Sequence, residues 1–70
     1  MLIDGSLITT TVDLESGGIK FPIGTKGTVV HVYPGSQAFE VEFSEHDYNM
    51  VVTVMYHQLE LFADDKKRAE

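Results

Sequence analysis

The sequence predicts an all-β fold, a small five-stranded barrel. Three observations carry that expectation. Residues 38–43 read AFEVEF, in which Phe39, Val41 and Phe43 alternate with Glu40 and Glu42. A period of two gives a strand one face for a core and one for water. Runs rich in threonine and valine recur at 6–14, 28–33 and 50–55, separated by glycine, proline or polar clusters. The connections are unequal as well: one long early loop, tight later turns, and room for a single turn before a last short strand.

The first strand is expected in SLITTTVDL, residues 6–14. Residues 15–27 hold four glycines and a proline, which marks a long loop or an irregular hairpin. Within it Ile19, Phe21 and Ile23 alternate with Lys20 and Pro22, so the loop has an apolar side suited to fold back over a core. Residues 28–33, TVVHVY, form the second strand, and Pro34-Gly35 supplies the fixed φ and the positive φ of a type II turn. Val29 and Val32 are three apart, so a bulge or strong coiling is needed to turn both inward. Gly27 stands where a sharp entry bend or a bulge would need a glycine. Residues 44–49 are a polar loop, and 50–55, MVVTVM, a fourth strand. A short turn and a last strand through Leu59 and Leu61 follow. The expected core is Val29, Val32, Phe39, Val41, Phe43 and Leu59. The domain is expected over 1–63, with 64–70 as a charged tail that frays.

Seventy residues allow one domain at most, burying about 60% of the surface of the unfolded chain. Without cysteine, neither disulfides nor a thiolate zinc site can supplement the core. A hydrophobic content of 43% with 23% charged residues is ordinary globular composition. The N-terminal residues lack the basic start and long apolar run of a secretory signal, and no run approaches a membrane span, so a cytoplasmic protein is the default expectation. The net charge is −6. Residues 1–63 hold only Lys20 and Lys26 against eight acids, whereas 64–70 balances three acids with three bases.

A small, strongly bent barrel of the SH3-like kind fits this pattern of strands and loops, because closing the sheet removes edges that so short a chain cannot otherwise protect. Gly27-x-Val29-x-x-Val32, followed by a turn and FEVEF, is similar to the strand pair of KOW domains. The stretches Gly24 to Tyr33, Ala38 to Phe43 and Gln58 to Leu61 resemble more closely a family of short bacterial proteins known as domain of unknown function 4926, over about residues 6–62. Phe39 stands where that family has tyrosine, and EHDYN replaces its acidic-glycine turn. The resemblance implies the fold and assigns no activity and no site. Similar barrels serve as accessory subunits beside larger catalytic chains.

Chemistry-bearing groups are sparse. Glu45, His46 and Asp47 are consecutive, and consecutive side chains rarely converge on one ion; His31 and His57 lie far away in sequence, so no metal site is expected. No nucleophile elbow or phosphate-cradling loop is present, and carboxylates projecting into water have no reason to carry shifted pKa values. Neither an enzyme nor a cofactor is expected. Nucleic-acid binding, which the KOW resemblance invites, needs clustered Lys and Arg that residues 1–63 lack.

Protein binding has positive indications. In 50–55, Met50, Val52 and Val54 share one face and Val51, Thr53 and Met55 the other, so an apolar strip must be covered by the 15–27 loop or exposed. Glu40 and Glu42 project together, about 7 Å apart by strand rise. With Glu45 and Asp47 they are expected to form an acidic patch facing a basic partner protein, with Tyr48, Met55 and Phe21 as apolar contacts. A homo-oligomer is left open, and no membrane partner is expected. The alternative function is a KOW-like nucleic-acid-binding domain.

Overall fold

The computed structural model describes residues 2–44 and 49–62. The described residues hold seven strands and one 3₁₀ turn: β1 (Leu7–Thr10), β2 (Leu14–Ser16), β3 (Ile19–Phe21), β4 (Lys26–Val32), β5 (Ala38–Phe43), β6 (Met50–Met55), the turn at Tyr56–Gln58, and β7 (Leu59–Leu61). Five strands form one antiparallel sheet in the order β6-β5-β4-β1-β7, and β2 and β3 form a separate hairpin. The all-β class and the five-stranded sheet match the sequence expectation. The hydrogen-bonded ladder runs from β6 to β7, and no pairing joins those two ends among the described residues.

The expected first strand divides in two. β1 ends at Thr10, whose side chain competes for backbone groups of the returning chain: its hydroxyl donates to the Pro22 carbonyl at 3.0 Å and accepts from the Thr25 amide at 3.1 Å. Thr10 is buried, and the bond from the Thr25 amide is shielded from water. Residues 14–16 then pair with 19–21 as the hairpin, Glu15 opposite Lys20. Asp13 accepts the Ile23 amide at 2.7 Å and holds the return of that excursion. The irregular-hairpin reading of 15–27 is therefore the correct one. Its apolar side is shorter than expected: Phe21 is in the core and Ile19 packs against it, but Ile23 is 64% exposed. Ile23 lies beyond the end of β3, where the two-residue alternation no longer holds.

β4 and β5 show how Val29 and Val32 share a face. Val29 opposes Val41 and Val32 opposes Phe39, with a register shift between Val29 and His31. Val30 is the extra residue, so the side-chain alternation restarts after it. Val29 is buried, while Val32 is half-buried against the core. The bulge thus sits at Val30 rather than at Gly27. Gly27 is required for a different reason: a Cβ there would lie 2.6 Å from Val41 Cγ1 and 2.8 Å from Phe43 Cε1. Two core side chains lie directly over its backbone. At the β4–β5 turn the Ser36 amide donates to the Tyr33 carbonyl at 3.0 Å and Gly35 has φ 92°, the geometry of a type II turn.

One core holds all of this together. Ile8, Phe21, Val29, Phe39, Val41, Phe43, Val52, Val54 and Leu59 are buried in it. Phe21 and Phe43 meet with ring centroids 4.7 Å apart. The hairpin therefore lies on the same core as the sheet, and Met50, Val52 and Val54 point inward while Val51, Thr53 and Met55 stay outside.

Candidate functional site

The outward face of β4, β5 and β6 is built row by row from the ladder. His31, Glu40 and Thr53 form one row; Thr28, Glu42 and Val51 form the next. At the turn end the Tyr33 amide donates to the Ala38 carbonyl at 3.1 Å, and Ala38 opposes Met55. Side chains two apart on neighbouring strands are within reach diagonally. Tyr33 uses that reach: its hydroxyl donates to Glu40 Oε2. The Thr53 hydroxyl donates to the same oxygen at 2.7 Å. The Tyr33 ring meets His31 edge-on, with centroids 4.7 Å apart.

The electrostatics follow from these contacts. The Tyr33 and Thr53 hydroxyls both stabilise the ionised carboxylate, in that order of importance, and hold Glu40 below the usual carboxylate range; the nearby His31 adds to the effect. The Tyr33 phenol is pushed up, chiefly by the same hydrogen bond, because ionising it would remove the donor and set two negative charges together. Glu40 is a fixed, ionised acceptor.

Around this cluster lie apolar groups open to water. Val51 is 56% exposed, and Met55 and Tyr33 are exposed with it. Of the residues expected at a partner surface, the structure brings Glu40, Glu42 and Met55 onto this face. Phe21 is a correction: it is 1% exposed and stacked on Phe43, so it packs the core and cannot touch a partner. Glu45, Asp47 and Tyr48 lie outside the described residues, as do residues 63–70. Tyr33, His31 and Val51 also belong to the face, and of these the alternation of 50–55 already sets Val51 beside Met55. The signal was available in part: a turn at Pro34-Gly35 sets Tyr33 opposite Ala38, but the bulge that aligns His31 with Glu40 is invisible without the pairing.

Of the two lysines of the described residues, Lys26 borders this face, lining a concavity with Thr28 and Glu42. The Lys26 ammonium sits 4.6 Å over the Phe62 ring, and Lys20 is on the hairpin opposite Glu15. Among the described residues no three of His, Asp and Glu converge as a metal site, and no helix is long and apolar enough to cross a membrane.

These features define a small all-β domain with a single core and one open, acidic sheet face. The chain belongs to the family described as Domain of unknown function (DUF4926), whose model matches residues 6–60. No curated protein and no solved structure gives a significant match.

Proposed function

We propose that the domain is a non-catalytic protein-binding module whose partner is a basic protein, docked on the outward face of β4–β5–β6. The observation that carries this reading is the juxtaposition on one sheet face of ordered acidic groups, Glu40 held by Tyr33 and Thr53 with Glu42 beside it, and exposed Val51 and Met55. Charge speeds encounter and apolar contacts slow dissociation. A pre-ordered carboxylate loses less conformational freedom when a cation meets it. Such a module suits an acidic antitoxin-like or immunity-like role, or a place as a small accessory subunit. A lowered pKa makes Glu40 itself a poor general acid near neutral pH.

The nucleic-acid alternative lacks comparable support. Stacking tyrosines work inside a positive groove, and Tyr33 here is bonded to a carboxylate.

The test begins with capture of the partner from the native cell and continues with association kinetics. Reversing Glu40 and Glu42 to lysine is expected to slow association several-fold with little change in the fold, since both side chains lie on the outward face. The wild-type rate should fall with salt as the Debye length shrinks from about 8 Å to about 3 Å at 1 M. An unchanged rate for the double variant, or an acidic partner, overturns the reading.

A further inference from the structure

We propose that the chain self-associates through the outer edge of β6, which no strand of the described residues pairs, two copies joining these strands antiparallel about a two-fold axis centred at Val52. This goes beyond the partner reading and rests on different atoms, the backbone edge rather than the acidic side chains.

The backbone shows which groups are available. The Tyr56 amide donates to the Gln37 carbonyl at 2.9 Å, directly across the β5–β6 ladder. Backbone groups in an antiparallel strand point alternately toward and away from the neighbour. Val54 and Val52 therefore turn their N–H and C=O toward β5, and Val51, Thr53 and Met55 turn theirs away. The Met55 amide fits this parity, since it is taken by Gln58 Oε1 at 2.9 Å instead of by a strand. Val51 and Thr53 present the remaining outward groups, and β5 is the one ladder partner of β6 among the described residues.

The two ends of the sheet differ in a way that selects this edge. Sheets usually blunt their edges with charge, proline, a bulge or brevity. β7 has two of these: it is three residues long and carries exposed Glu60. β6 has none. It is six residues, MVVTVM, uncharged and paired in unbroken register with β5.

An uncharged edge gains nothing from a basic strand, whereas an identical strand matches it in length and polarity. A two-fold interface uses the same patch twice. Centring on Val52 sets Val51 of one copy against Thr53 of the other, pairing the available backbone groups and leaving the Met55–Gln58 bond intact. The acids do not forbid it. The two β5 strands would stand three strand spacings apart, about 14 Å, which exceeds the Debye length of about 8 Å at physiological salt. A short edge makes a weak dimer, formed at high concentration.

Sedimentation equilibrium from low micromolar to millimolar protein tests this, comparing the wild type with Val51→Lys/Thr53→Lys. In the same chain those lysines would face Glu42 and Glu40, so the monomer tolerates them; across the two-fold axis they would face each other. The expected result is a wild-type shift from monomer to dimer mass, with dimerisation weakened roughly tenfold or more in the variant. Should the variant fail to fold, amide exchange of the wild type decides: Val51 and Thr53 should become protected as concentration rises. A monomer throughout, a variant that dimerises as well as wild type, or protection that appears elsewhere overturns the proposal. Because Glu40→Lys/Glu42→Lys leaves the edge backbone unchanged, failure here is distinguishable from failure of the basic-partner reading.

Discussion

At Phe43 a single side chain joins three parts of the structure: it lies on β5, its ring meets Phe21 of the hairpin, and its edge closes over the backbone of Gly27. Phe43→Ala should cost about 3–5 kcal/mol, from lost transfer energy and the cavity left behind. Denaturant unfolding checks this, and in so small a domain the variant is expected to be largely unfolded under mild denaturant. Glu40 illustrates the polar counterpart. Its folded pKa is depressed mainly by the Tyr33 hydroxyl, so its contribution to stability is complete at neutral pH and is lost as pH falls through the folded-state value. The group is open to water, and the contribution is correspondingly small. Tyr33→Phe should raise the Glu40 pKa toward the usual carboxylate range, read by NMR titration of the side-chain carboxyl. The stability difference between the two proteins should shrink on acidification. An unmoved Glu40 titration would mean that the bond does not persist in solution.

At the scale of elements, the hairpin is held to the sheet by the hydrogen bonds of buried Thr10 as well as by Phe21. Thr10→Val keeps the volume and removes the hydroxyl. Two hydrogen bonds are lost, for a destabilisation of about 1–2 kcal/mol. For a domain of this size that lowers the melting temperature by roughly 4–8 °C per kcal/mol. Faster exchange of the Thr25 amide should accompany it, whereas a uniform loss of protection would mean that the hairpin does not open separately from the sheet. The bulge at Val30 acts on another element. By adding one residue between Val29 and His31 it keeps both valines on the core side and delivers His31 to the row of Glu40.

Over the whole molecule, the distribution of charge decides what can approach. Eight acids stand against two lysines in residues 1–63. One of those lysines is engaged over Phe62 and the other lies on a different element, so no stripe of positive charge forms among the described residues. No appreciable affinity for DNA or RNA is expected near physiological salt, since phosphate neutralisation supplies most of such binding. A titration by electrophoretic mobility shift checks this. Submicromolar binding that weakens steeply with salt would favour the KOW-like reading over a protein partner.

Most of the architecture was legible in the chain because strand alternation is local. AFEVEF assigns its own two faces, Pro34-Gly35 carries its own turn geometry, and the glycine-rich stretch announces an irregular excursion. Val29, Phe39, Val41, Phe43 and Leu59 could be read as core from spacing alone, and Glu40 and Glu42 as outward-facing. What lay beyond reach depends on partners distant in sequence. Phe21 looked equally fit for a surface or a core until the hairpin folded onto Phe43. Gly27 looked like a bend until two side chains from another strand were found above it. Whether the Val51 side of β6 would be covered could not be read from β6, because the answer depended on where the hairpin packs. Local pattern determines which way a side chain points; only the tertiary fold decides what, if anything, it meets there.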